Sequence, residues 1–324
     1  MKLILKTTSC YLPVMLRRIY IHLAFALCLQ TAAAQRPLAA RMDSVVAASP
    51  LSTTSTVAVL VWDLEADSCV YARGATTVVR PASTQKLLTA VAALCLLGDS
   101  TMIRADSLGG KLRADFTMKK DTAALGEGWC WDDDNPQLNT RDTTITAHPL
   151  RWLLRPMLKA SNNLAAESVY YSIGGKKTIE EFVRQLRVIT PWLQTTSLGA
   201  PLYRVADGSG LSLYNYLTPQ LLVACLRLAW ADEGLWATIT DTLPVAGVDG
   251  TLEKRMTASN ACGEVLAKTG TLSGVSSLAG YCLTQPLAFA IIINGTMRQQ
   301  PARDLQDALC AEMAKYKTNS QETK

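Results

Sequence analysis

Strand-like runs stand at both ends of this 324-residue chain with helical periodicity between them, and this arrangement limits the fold more than any other feature. Residues 57–62 and 69–73 are rich in Val, Leu and aromatics and flank a polar turn at 65–68. Residues 265–268, 277–284 and 287–294 form a second set near the C-terminus, with Gly274 and Pro286 in the turns between them. Residues 83–97 read as a helix, because Leu87, Val91 and Leu94 recur on one side and Gly98 stops it. Helical periodicity returns at 150–158, 164–171, 179–186 and 219–230, and a last helix is expected over 301–315. The pattern predicts an α+β fold: one antiparallel sheet assembled from both termini, covered by a helical subdomain from the middle of the chain. There are no internal repeats.

The rest of the chain divides around that body. Lys2, Lys6, Arg17 and Arg18 precede an apolar run and then Thr31-Ala32-Ala33-Ala34, which reads as a secretory signal peptide over 1–34. The run is too short to span a bilayer. The start is Met1 or Met15. The body is expected over 35–104 and 148–316. Residues 105–147 are an excursion rich in Asp and Thr, with its aromatics concentrated in Gly-Trp-Cys-Trp-Asp-Asp-Asp at 128–134, and 317–324 form a polar tail.

Composition excludes several classes of function. The formal charge of +5 loses four basic residues with the signal peptide, leaving about +1, too little for nucleic-acid binding through a basic field. Of nine cysteines, the seven outside the expected signal peptide are scattered without CxxC spacing, which allows one or two disulfides but no zinc ribbon. Of two histidines, His22 lies in the signal peptide, so a multi-histidine metal site is ruled out. A Ser-His-Asp triad would rest on His148 alone, beside Pro149 at a helix entry, where a structural or surface role fits better.

Three short motifs carry chemistry instead. Ser83-Thr84-Gln85-Lys86 opens the long helix, and a spacing of three puts Ser83 and Lys86 on one face. A serine hydroxyl needs a base to become a nucleophile, and a buried lysine of lowered pKa is the available one. By itself Ser-x-x-Lys arises roughly once per few hundred residues, and helix capping by Ser83 is the plain alternative. Ser161-Asn162-Asn163 lies between two helical segments. There Ser161 would relay protons to a leaving amine, and the Asn163 amide would bond both Lys86 and a substrate carbonyl; an ordinary N-cap is the alternative. Lys268-Thr269-Gly270-Thr271 sits on a predicted strand. Lys268 and Thr269 offer a cation and a hydroxyl to a carboxylate, and Gly270 permits close approach of another backbone, as an edge-binding peptide requires.

In this order, on helix, loop and strand, the three resemble the active-site signature of penicillin-binding proteins and serine β-lactamases. Asp-Gly-Ser-Gly-Leu-Ser at 207–212, Leu-Pro-Val-Ala-Gly-Val-Asp-Gly-Thr-Leu at 243–252 and the run 267–281 narrow the likeness. From about 57 to 294 the chain is similar to the D-alanyl-D-alanine carboxypeptidase/endopeptidase family, the class C low-molecular-mass penicillin-binding proteins. The resemblance implies a transpeptidase-like fold in which Ser83 attacks a penultimate D-Ala carbonyl, Lys86 is the base and Ser161 aids departure of D-Ala. It further implies an oxyanion hole from the N–H groups of Ser83 and Thr271, and a terminal carboxylate held by Lys268 and Thr269. Peptidoglycan stem peptides would be the substrates and β-lactams covalent inhibitors, with no metal or organic cofactor, in a periplasmic protein without a stable membrane span.

Two departures qualify the likeness. The interval between Lys86 and Ser161 is short for the family, so 105–147 reads as a reduced insert in which Asp133 matches the residue that meets the substrate's diaminopimelate amine. Leu213 stands where relatives carry Arg after Gly-Leu-Ser, and Arg204 is a nearby substitute. Rival readings are a serine β-lactamase, an esterase on the same scaffold and a non-catalytic wall-binding protein. Residues 182–206 contain no Asp or Glu to serve as a deacylating base, which weighs against the first. A binder has no need of both Ser83 and Lys86.

Overall fold

The computed structural model describes residues 37–104, 147–190, 192–193 and 203–316. The expected signal peptide, nearly all of the expected insert with Asp133, and the tail lie outside them. A helix α1 (Leu38–Ala48) and a single turn α2 (Leu51–Thr54) lead into the hairpin of β1 (Thr56–Asp63) and β2 (Ser68–Arg73). Three C-terminal strands, β5 (Val265–Leu272), β6 (Val275–Cys282) and β7 (Leu287–Asn294), complete one antiparallel sheet in the order β2-β1-β7-β6-β5. The sheet is therefore built from both ends of the chain, as the sequence predicts, with Val57 opposite Ile293 at its centre.

Both faces of the sheet are covered, which explains why β1, β6 and β7 read as continuous apolar runs rather than alternating ones. One face, with Ala58, Leu60, Ala279, Tyr281, Ala290 and Ile292, packs against the helical middle. That middle comprises α3 (Gln85–Leu97), α4 (Leu150–Lys159), α5 (Asn163–Ser172), α6 (Lys176–Ile189), α7 (Pro219–Trp230) and α8 (Glu233–Thr242). The other face, with Val57, Val59, Val61, Phe289, Ile291 and Ile293, packs against α1 and α9 (Gln299–Ala314). Leu38, Met42 and Val46, spaced by four, supply the buried stripe of α1.

Several boundaries differ from the sequence reading for identifiable reasons. The expected helix at 83–97 begins with a 3-10 turn over Ala82–Thr84, so Ser83 stands ahead of the α-helical turns. β5 runs four residues past Lys268, because the polar Thr269 and Thr271 interrupt the apolar pattern without interrupting the ladder to β6. The sequence reading contains neither α1 nor α8; in α8 the short cap of Asp232, accepting from Leu235 N, starts a Thr-rich helix of weak propensity. Arg104 pairs with Ala147 in the short ladder of β3 (Met102–Arg104) and β4 (Ala147–Pro149), so the expected excursion leaves and re-enters the body at one place, and Ala147 and His148 belong to β4. The six described cysteines, Cys69, Cys95, Cys225, Cys262, Cys282 and Cys310, are all free thiols.

Candidate active site

The site forms where α3, α5, the 207–212 loop and the outer strand β5 meet. Ser83 sits in a turn fixed from the sheet: the Pro81 carbonyl accepts hydrogen bonds from the hydroxyls of Thr84 (2.6 Å) and Ser277 of β6 (2.5 Å). Ala82 adopts a left-handed φ of 48° in this turn. Lys86, three residues on, has no exposed surface, and its Nζ reaches Ser83 Oγ at 2.9 Å, Asn163 Oδ1 at 2.8 Å and the Ser209 carbonyl at 2.8 Å. Three acceptors match the three donors of an ammonium. When Lys86 loses a proton, the carbonyl and the amide oxygen can still only accept. The lone pair is then left for Ser83, whose hydroxyl turns to donate into it.

Local capping explains the second motif. Asn162, not Asn163, is the N-cap of α5, its Oδ1 accepting from Ala165 N at 2.9 Å. Asn163 is thereby free to face Lys86, and Ser161, partly exposed with φ 60°, precedes the cap. The expected Asn163–Lys86 bond and the ordinary N-cap are thus both present, on neighbouring residues.

The 207–209 carbonyls are gripped by successive α3 side chains. Gln85 Nε2 donates to Asp207 O, Thr89 Oγ1 to Gly208 O (2.8 Å) and Lys86 to Ser209 O. From the opposite side, the Glu167 carboxylate of α5 accepts from Gly208 N (3.0 Å) and Ser209 N (2.8 Å), and is itself buried. Asp207 holds the outer half of the loop, accepting from Gly210 N, Ser212 N and Asn215 Nδ2. Gly210 is obligatory here: its φ is 80°, and a Cβ would lie 1.9 Å from the Ala82 carbonyl. Burial pushes the Lys86 ammonium down to about 7, while the nearby Glu167 and Asp207 charges pull it upward.

On β5, Lys268 is also fully buried, its Nζ donating to the Thr269 carbonyl at 2.8 Å. Burial first, and the Lys86 charge second, hold it well below its ordinary value. Thr269 Oγ1 donates to Thr251 Oγ1 at 2.7 Å, and Thr251 is positioned by a segment that the Lys159–Asp249 ion pair fastens to the end of α4. The free edge of β5 is closed only in part, since Ala246 N bonds Val265 O and Ala267 N bonds Pro244 O. By antiparallel alternation the N–H groups of Thr269 and Thr271 face outward beyond that cover.

Gly270 serves a different neighbour from the one expected. A Cβ there would meet Ser277 Oγ at 2.2 Å and both Pro81 O and Ser83 N at 2.9 Å, so the backbone it admits is the chain's own nucleophile turn. Lys268 has no accessible surface, whereas Thr269 beside it is partly exposed, so of the two residues expected to meet a carboxylate Thr269 is the one open to solvent. Leu213 is exposed, and the cation against it is Arg80, whose Nε donates to Leu213 O at 3.1 Å, whereas Arg204 lies over the Tyr214 ring. The sequence reading missed Gln85, Thr89 and Glu167, which show no local signal beyond polar residues on helices, and Ser209, which contributes a carbonyl rather than a side chain.

The profile of the D-Ala-D-Ala carboxypeptidase 3 (S13) family matches residues 38–128 and 134–316. A D-alanyl-D-alanine carboxypeptidase of Actinomadura sp. (strain R39) is 38% identical over 190 residues, 53% of this chain and 33% of the relative. The D-alanyl-D-alanine carboxypeptidase DacB of Haemophilus influenzae is 32% identical over 170 residues, 49% of this chain and 35% of its own length. The matched part thus spans about a third of these curated relatives. Among solved structures, penicillin binding protein 4 of Haemophilus influenzae superposes with a TM-score of 0.63 at 17% identity, covering 85% of this chain and 99% of that one. A β-lactamase of Sphaerobacter thermophilus gives 0.57 at 15%, covering 85% and 95%. The fold is that of penicillin-binding proteins and serine β-lactamases.

Proposed function

Because the chain belongs to the D-Ala-D-Ala carboxypeptidase 3 (S13) family, we propose that it is a serine-type carboxypeptidase acting on peptidoglycan stem peptides, exported to the periplasm by the segment 1–34. The observation that carries this reading is the single lysine amine set between Ser83 Oγ and two fixed acceptors. In the reaction, neutral Lys86 takes the Ser83 proton as Oγ bonds to the penultimate D-Ala carbonyl carbon. The oxyanion is held by Ser83 N and Thr271 N. The C–N bond then breaks, and the proton passes from Lys86 through Ser161 to the leaving D-Ala amine. Water resolves the ester, returning the carboxylic acid and Ser83. Asn163 orients both Lys86 and the substrate, while Thr269, over the buried Lys268 charge, receives the terminal carboxylate. Asp133, outside the described residues, would meet the amine of a diaminopimelate side chain. β-Lactams would acylate Ser83 and persist there.

The test is mass spectrometry of products from a peptide ending in D-Ala-D-Ala and from its D-Ala-L-Ala counterpart. Release of one alanine from the first only is expected; equal cleavage, or none, would sink the reading. No helix among the described residues is long and apolar enough to cross a membrane.

The two lysines lead to separable predictions. With Lys86 titrating at about 7, the neutral base accumulates as pH rises, so acylation by penicillin should climb through about pH 7 and fall tenfold per unit below about pH 6. A rate flat from pH 5 to 8 would contradict the assignment. Lys268→Ala should weaken kcat/KM by about 10- to 100-fold for substrates with a free terminal carboxylate, the scale of one charge-assisted contact. The same substitution should leave the corresponding amide nearly unaffected; equal losses on both would remove Lys268 from carboxylate recognition.

A further inference from the structure

We propose that Glu167 is a positioning residue for the Lys86 base: its buried carboxylate clamps the Gly208–Ser209 backbone so that the Ser209 carbonyl stays on the lysine amine. The inference rests on the functional reading above, in which Lys86 deprotonates Ser83. Glu167 lies one helical turn after Asn163 on α5, at the i,i+4 spacing that places both on one face. This short helix therefore reaches Lys86 twice, directly through Asn163 and indirectly through Glu167 and Ser209.

Glu167 faces inward. It is 1% exposed, and each oxygen accepts a separate backbone N–H, with the Ser209 hydroxyl as a further partner. The Gly208–Ser209 peptide group is fixed at both ends, its carbonyl by Thr89 from α3 and its N–H by Glu167 from α5. Gly208 has no room for a side chain: a Cβ would lie 2.3 Å from Tyr170 Cβ and 2.9 Å from the Ala166 carbonyl. The loop is thus pressed directly onto α5, and an uncharged clamp could hold it. A carboxylate adds what a neutral group cannot, an anion in the same buried volume as the lysine.

The charges around this pair fix the sign of the effect. Glu167 and Asp207 are the anions that raise the Lys86 value against the downward push of burial. Lys268, on β5, is the neighbouring cation and is itself depressed by Lys86. Burial and Asp207 raise the Glu167 carboxyl, its hydrogen bonds lower it, and the Tyr170 phenol beside it is pushed upward by burial and by Glu167. Removing the Glu167 charge while keeping its shape should let burial depress Lys86 further.

The test follows penicillin acylation of Ser83 from pH 5 to 9 in the wild type, Glu167→Gln, Glu167→Asp and Thr89→Val. Glu167→Gln should move the acid limb down by about one pH unit and slow the plateau at least fivefold, since its amide opposes one of the two N–H groups. Thr89→Val loosens the same peptide without touching charge, so its limb should stay with the wild type. An unmoved or raised limb in Glu167→Gln, or an equal shift in Thr89→Val, overturns the proposal. If Glu167→Gln does not fold, Glu167→Asp decides: a limb in place with acylation at least fivefold slower supports the clamp, and anything faster overturns it. An acylated wild type with an unmoved limb refutes only the role of Glu167. A wild type that penicillin never acylates brings down the functional reading and this inference with it.

Discussion

Lys86→Met is expected to lower the rate of Ser83 acylation by roughly 10²- to 10⁴-fold, the usual contribution of a positioned general base, while the protein stays folded. Methionine keeps most of the side-chain volume in a position with no exposed surface, so the packing of α3 survives. The cost lies in the partners left behind. Asn163 Oδ1 and Ser209 O each lose a charged donor at 2.8 Å, and an unmet buried acceptor costs about 1–3 kcal/mol. Against this, a buried ammonium no longer has to be accommodated, so the melting temperature should change by only a few degrees. Stopped-flow labelling with a fluorescent penicillin, beside a thermal melt, separates the two effects. A folded variant that acylates within tenfold of the wild type would show that another group takes the proton.

Gly270→Ala should be nearly as damaging by an unrelated route. The added Cβ meets two backbone atoms of the nucleophile turn, Pro81 O and Ser83 N, and a hydroxyl, Ser277 Oγ, that is already bonded to Pro81 O. None is the far end of a flexible side chain, so the clash is relieved only if the turn and β5 separate. That motion parts the N–H groups of Ser83 and Thr271, and loss of one oxyanion donor costs about 10²- to 10³-fold. Overpacking of this kind also destabilises by about 1–3 kcal/mol. Acylation rate and melting temperature should therefore fall together. An unchanged rate would place the oxyanion donors elsewhere.

Much of this arrangement was legible in the residues because it is written in short-range terms. Ser83 and Lys86 stand three residues apart and meet at that short range, and the stop at Gly98, with φ 73°, needs only its own backbone. α7 matches its expected bounds, since Pro219 stands at the first helical position and Thr218 caps Leu221 N. What stayed hidden depends on partners far away in sequence. Glu167 looks like any polar helix residue until the 207–209 loop, some forty positions later, is laid against it. Gly270 was read correctly as a place of close approach but for the wrong neighbour, because nothing local tells a substrate strand from residues 81–83. The burial of Lys268 was equally invisible: a lysine on a strand reads as a solvent-facing cation until the folded chain covers it.

The order of strands in the sheet also governs when the protein can fold. β1 is flanked by β2 and β7, so until residue 294 is available it has only a hairpin partner, and a lone two-stranded ribbon is marginal in water. Joining Val57 to Ile293 closes a loop of most of the chain, an entropic cost met before the central ladder returns anything. α1 and α9 wait on the same event, because the sheet face they share does not exist earlier. A stable sheet is therefore accessible only after residue 294 has been synthesised. For the export proposed above, a chain that remains unfolded until then can be threaded through a narrow channel, becoming rigid only once β7 has arrived.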